Sequence, residues 1–157
     1  HSLSKRSNLP GLRSGFVAGD SNLLKQYFLY RTYHGCAMAG HTQEISALAW
    51  SDEGHVNENR DKYTEKFSAV GEILKDHYKL YRPEGGFYHW IKTPLEDQHI
   101  AARLMETHNV KVMPGSFLSR ADNGQDPGLD HIRIAWVSEK EECIEAARRL
   151  VEFARGL

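Results

Sequence analysis

The sequence predicts an α/β protein, in which a small α/β sandwich over residues 80–157 follows a mostly helical leading segment. Three observations predict it. Apolar residues recur at steps of three, four and seven between His55 and Tyr78, the period of an amphipathic helix. After residue 79 the pattern changes to alternation, in "KLYRPEGGFYHWIKT" and again in "HIRIAWV", the period of strands. Two capping-box signatures, Thr93-x-x-Glu96 and Ser138-x-x-Glu141, open helices between and after those strands.

The leading segment reads element by element. "SGFVAGD" (14–20) is short, apolar and bounded by glycines, as a buried strand is. Asp20 or Ser21 can cap a helix whose apolar face is Leu23, Leu24, Tyr27, Phe28 and the stem of Arg31, and Gly35 stops it. A second helix is predicted over Thr42 to Trp50 with Ile45, Leu48 and Ala49 inward. The segment from His55 to Tyr78 carries Val56, Tyr63, Phe67, Val70, Ile73 and Leu74 on one stripe, and its length suits a helix joining two bodies.

The trailing segment reads as β-β-α-β-β-α. Two strands flank Pro83 and Gly85-Gly86, and a helix with Ile100, Leu104 and Met105 on one face follows Pro94. "VKVMPGSFL" is a strand entering a Pro-Gly turn. "HIRIAWV" places Ile132, Ile134 and Trp136 on one face, and the last helix turns Ile144, Ala147, Leu150 and Val151 inward. Helices on one face of a mostly antiparallel or mixed sheet satisfy this pattern. The expected divisions are residues 1–54, a connecting helix over 55–79, and a small domain over 80–157.

The totals narrow the functional classes. At 157 residues the chain can bury roughly 70% of its unfolded surface without covalent staples. A net charge of −1 gives no global attraction to nucleic acid or a membrane surface, and neither is an expected partner. No apolar run approaches the ~18 residues of a spanning helix, and the first residues lack the apolar region of a signal peptide. Cys36 and Cys143 are far apart and unpatterned, which fits reduced cysteine and a cytoplasmic location. The 9 histidines show no spacing of a zinc site.

Chemistry concentrates at the start, in "HSLSKRSNLPGLRSGF". A lysine that attacks a carbonyl must be neutral part of the time, and cations nearby favour that form; Arg6 and Arg13 are candidates. The hydroxyls of Ser2 and Ser4 with the guanidinium of Arg13 make a phosphate cradle. Gly11 and Gly15 let the backbone turn tightly past such a ligand. A carbonyl-reactive lysine beside a phosphate site is what pyridoxal phosphate chemistry requires. A solvated basic terminus has the same composition.

"SLSKRSNLPGLRSGFVAGD", with Ser-x-Ser-Lys, a glycine, and an arginine eight residues after the lysine, resembles the lysine motif of class I/II aminotransferases of pyridoxal phosphate fold type I. "GHTQEISALAWSDEGHVNENRDKYTEKF", "PEGGFYHW", "VMPGSFLSR" and "HIRIAWV" fall in the order of that family's second half. Within the family the sequence is most similar to the N-succinyldiaminopimelate branch. The resemblance covers essentially the whole chain and implies pyridoxal 5'-phosphate as cofactor. It implies Lys5 as the Schiff-base lysine and proton carrier, with Ser2, Ser4 and Arg13 holding the cofactor phosphate. It implies Arg133 on the substrate α-carboxylate and Phe87 lining the substrate pocket. An exposed strand arginine and a packed core aromatic are the plain alternatives for those two.

The family's other cofactor groups precede its lysine, so the chain is expected to be a C-terminal portion: the end of a truncated large domain, the connecting helix and the small domain. It is expected to be inactive alone and homodimeric in the whole enzyme, acting on amino-acid and 2-oxo-acid substrates. Another aminotransferase, a C–S lyase of the same fold type and a non-catalytic binding module are the competing functions.

Overall fold

A computed structural model describes residues 1–157. The chain divides into two compact units, His1–Arg60 and Asp61–Leu157.

The first unit is helical. A one-turn helix α1 (Leu3–Arg6) is capped by Ser2, whose hydroxyl accepts from the Ser4 N–H. A 3-10 turn (Pro10–Leu12) follows, and Arg13 adopts the left-handed region at φ 50°. Helix α2 (Ser21–Tyr33) starts at Asp20, whose carboxylate accepts from Asn22 N at 2.9 Å and Leu23 N at 3.1 Å. Gly35, at φ 114°, follows its end. Helix α3 spans Gly40–Ser51, and α4 (Gly54–Leu74) starts in this unit and ends in the next.

Two expectations for this unit fail. Residues 14–20 form no strand: only Gly15 makes a bridge, to Ser2, while Phe16 and Val17 are exposed. An apolar run becomes a strand only when another strand satisfies its backbone, and no further partner is present. Nor does α3 turn Ile45 and Leu48 inward; both are exposed and Ser46 is buried instead. The apolar stripe of α2 is likewise open, with Leu23, Tyr27 and Phe28 exposed.

The second unit is an antiparallel three-stranded sheet in the order β1-β3-β2, with strands β1 (Tyr88–Lys92), β2 (Met113–Pro114) and β3 (His131–Ala135). In register, His89 faces Ile134, Ile91 faces Ile132, and Trp90 faces Arg133. Alternation sends His89, Ile91, Ile132 and Ile134 to one face. There they pack with Phe67, Val70 and Leu74 of α4, Ile100 and Leu104 of α5 (Asp97–His108), and Ala147, Leu150 and Phe153 of α6 (Lys140–Arg155). The opposite face carries Tyr88, Trp90, Met113, His131 and Arg133. No helix of the chain is long and apolar enough to cross a membrane.

The strand expected before the Gly85-Gly86 turn is absent, so the order is β-α-β-β-α. Pro83 lacks an N–H for a ladder, and Leu80 packs on the core instead. The capping boxes are also displaced. Thr93 Oγ1 donates to Leu95 O, and α5 starts only at Asp97; α6 starts at Lys140, after Glu139. Asp97 is fully buried. Burial pushes its carboxyl up, but hydrogen bonds from the Ser116 hydroxyl and N–H (2.7 and 2.9 Å) outweigh this and hold it below the ordinary range.

His89 is the buried polar side chain of β1, 4% exposed. The Trp136 indole Nε1–H donates to its Nδ1 at 2.9 Å, and Phe67 meets it edge-on at 4.9 Å. Burial lowers its pKa from the usual 6.5. The folded protein thus binds fewer protons here than the unfolded chain. This contribution to stability is complete above pH 6.5 and is lost as the pH falls through the depressed folded value. Urea unfolding at pH 7 and pH 5 checks it. His89→Gln keeps an acceptor for Trp136 without titrating, so it is expected to lose less stability on acidification than the unaltered protein. Equal losses would contradict the assignment.

Candidate active site

The motif loop is built by two chain segments that close on each other. Phe16 N–H donates to His1 O, and the His1 amino group to Phe16 O, both at 2.9 Å. Leu3 N–H donates to Ser14 O at 3.1 Å. The approach depends on Gly15, because a Cβ there would lie 2.6 Å from His1 O and 3.3 Å from Ser2 Cα. The loop therefore brings Ser2, Ser4, Lys5 and Arg13 together on one closed segment.

Each motif side chain has a distinct position. Lys5 lies exposed within α1. Ser2 is the cap, and its hydroxyl also donates to Ser14 O at 3.3 Å, a long bond that a stronger acceptor could replace. Ser4 is half-buried beside it. The Arg13 guanidinium donates one N–H to Pro10 O at 2.7 Å, which leaves most of its five donors for a ligand.

Arg6, a sequence candidate for favouring the neutral amine, is used otherwise. It pairs with Glu53, donates to Ala49 O (2.7 Å) and Trp50 O (3.4 Å), and sits 4.9 Å from the Trp50 ring centroid. With its charge compensated by Glu53, it acts as an anchor of α1 on α3 and its end. Phe16 packs edge-on against the same Trp50 at 5.0 Å. His55 adds a tie, reaching Ser7 Oγ (2.9 Å) and Asp52 (2.7 Å). The hydrogen bond from His55 holds the Asp52 carboxyl below the ordinary range. Sequence reasoning missed Trp50, Glu53 and His55 because long-range polar contacts leave no periodic trace.

In the second unit, Arg133 lies half-buried on the open sheet face. Its guanidinium carbon is 5.6 Å from the Tyr88 ring centroid, a cation–π contact. Phe87, half-buried, also meets Tyr88, with ring centroids 5.6 Å apart at 80°. Tyr88 thus links the two residues singled out in this unit. Trp90 and His131 stack beside them at 5.6 Å. An arginine on an aromatic face, with no carboxylate among its observed contacts, is suited to an anionic ligand.

Comparison with known proteins identifies the family. Residues 1–150 match the model of the family "Aminotransferase class I and II". The curated relatives include 4-dedimethylamino-4-oxo-anhydrotetracycline transaminase OxyQ of Streptomyces rimosus, 32% identical over 96% of this chain and 40% of its own. They also include an LL-diaminopimelate aminotransferase of Aquifex aeolicus, 29% identical over 96% of this chain and 38% of its own. Among solved structures, an aminotransferase from Neisseria meningitidis superposes with a TM-score of 0.91 at 47% identity, covering 98% of this chain and 39% of that one. A Thermus thermophilus structure described as "probable N-succinyldiaminopimelate aminotransferase" gives a TM-score of 0.83 at 29% identity, over 96% of this chain and 40% of its own. The chain belongs to the class I and II aminotransferases, a pyridoxal-phosphate-dependent family. It spans about 40% of the length of OxyQ.

The residues present fit that cofactor. A primary amine suits its aldehyde, and two hydroxyls with a guanidinium suit its phosphate. The Cβ-free crossing at Gly15 is the backbone feature that gathers them. Gly15→Ala is expected to open the crossing. Amide hydrogen exchange at Leu3 and Phe16, whose N–H groups bond across it, should accelerate about fivefold or more, since a bonded amide loses about 1 kcal/mol or more of protection. Exchange in β1 and β3 should not change. Unchanged exchange at Leu3 and Phe16 would show that the backbone accepts the Cβ.

Proposed function

We propose that this chain is the C-terminal portion of an aminotransferase that moves an amino group between N-succinyl-diaminopimelate and 2-oxoglutarate, a cytoplasmic step of lysine biosynthesis. Residues 1–54 are the end of its large cofactor domain, 55–79 its connecting segment, most of it the helix α4, and 80–157 its small domain. The observation that carries the catalytic part is the closed motif loop, which gathers Lys5 with Ser2, Ser4 and Arg13. The diaminopimelate-type relatives support the choice of substrate.

Bound pyridoxal phosphate supplies an aldehyde for the amino group and an electron sink for the bond broken at the substrate Cα. The chain's own residues supply binding and proton transfer. Arg13 and the hydroxyls of Ser2 and Ser4 hold the phosphate by charge-assisted hydrogen bonds. Lys5 Nζ takes the proton from the substrate Cα and delivers it to the cofactor side, so that the amino group leaves the substrate carbon. Arg133 binds the α-carboxylate through its planar guanidinium, steadied by the Tyr88 ring, and Phe87 borders the substrate side chain. The exposed stripe of α2, with Leu23, Tyr27 and Phe28, supports burial of this surface in the homodimer of the whole enzyme.

Steady-state kinetics on the full-length protein test the proposal. N-succinyl-diaminopimelate should give a higher kcat/KM than aspartate or LL-diaminopimelate; faster turnover of either rival would overturn the substrate. Arg133→Gln should raise KM for both the amino acid and the 2-oxo acid about 10–100-fold, the worth of a charged hydrogen-bond pair. Unchanged KM values would remove Arg133 from carboxylate binding.

A further inference from the structure

Ser14 and Ser46 are the two buried polar side chains of residues 1–60, at 4% and 5% exposure. Their hydroxyls hydrogen-bond to each other at 2.7 Å. Ser46 Oγ also donates to Thr42 O at 2.6 Å, so its single proton is committed and Ser14 is the donor of the pair. A relay therefore runs from Ser14 through Ser46 to the backbone of α3.

The backbone of Ser14 faces the other way. Its carbonyl accepts from Leu3 N at 3.1 Å and from Ser2 Oγ at 3.3 Å. Its neighbours are Arg13, in the left-handed region at φ 50°, and Gly15, at the close crossing. One buried hydroxyl thus fixes the residue between Arg13 and the crossing, and its carbonyl sets the direction of the Ser2 hydroxyl. Arg6 holds the motif through α1, at a different point of the loop.

We propose that Ser14 and Ser46 are positioning residues for the phosphate-holding side of the cofactor site. They tie the Arg13 arm and the Ser2 hydroxyl to α3, so that both are in place before the phosphate arrives. This rests on the reading of the motif loop as the pyridoxal phosphate site. Neither residue touches the cofactor in this role. Preorganised donors bind without the cost of ordering them, so loss of the tie should weaken phosphate recognition and leave the aldehyde end alone.

Two probes separate the ends of the ligand: pyridoxal phosphate, and pyridoxal without the phosphate. Dissociation constants follow from absorbance titration of the purified protein, with thermal midpoints measured alongside. Ser46→Ala leaves the Ser14 hydroxyl buried without a partner, and should lower the midpoint and raise the pyridoxal phosphate Kd about tenfold. Ser14→Ala/Ser46→Ala removes both polar groups, so its midpoint should return towards that of the unaltered protein. Its pyridoxal phosphate Kd should stay raised about tenfold, because the tie is still absent, while its pyridoxal Kd is unchanged.

A double variant that binds pyridoxal phosphate as tightly as the unaltered protein would overturn the positioning role. So would equal losses for the two probes, which indicate general loosening. Unaltered protein that binds neither probe would instead overturn the cofactor reading on which the proposal rests.

Discussion

Residues 1–3 and 14–16 approach so closely that a side-chain carbon at position 15 would lie 2.6 Å from a backbone oxygen. The first unit is organised around that crossing. It holds the hydroxyl of Ser2 and the arm bearing Arg13 on the same closed loop as Lys5. The loop has no sheet to rest on, so side-chain ties to α3 and the start of α4 do that work. Arg6 and Phe16 meet Trp50, Ser14 meets Ser46, and Ser7 meets His55. A short sequence motif is thereby closed into a loop tethered to α3 and α4.

The second unit uses a different constraint, the two-residue period of its strands. The register that buries Ile132 and Ile134 necessarily turns Arg133 to the opposite face. There it meets Tyr88 and lies opposite Trp90. Core packing and the outward placement of Arg133 are two sides of one alternation: a one-residue slip of β3 would bury the arginine and expose both isoleucines.

What the sequence made legible follows the same physics. Alternation in "HIRIAWV" identified β3 and its buried face, and Asp20 and Gly35 marked both ends of α2. These signals are local. The errors arose where a distant partner decides. Residues 14–20 have strand composition but find one bridge. The inward face of α3 was misread because its buried contact is a serine, selected by another serine and invisible to an apolar pattern. Thr93 and Ser138 carry capping-box spacing without capping: Thr93 turns to Leu95 O, and the Ser138 carbonyl receives Lys66 Nζ and Cys143 Sγ. Of the candidate site, the residues were readable from the motif, and the scaffold of Ser46, Trp50, Glu53 and Tyr88 was not.

The central claim is that the motif loop is a cofactor site with Lys5 as its reactive amine. Incubation with pyridoxal phosphate, borohydride reduction, intact mass and peptide mapping test it most directly. The account predicts one adduct, concentrated on Lys5, that falls sharply in Arg13→Ala. Adducts scattered over the surface lysines, or none at all, would contradict it.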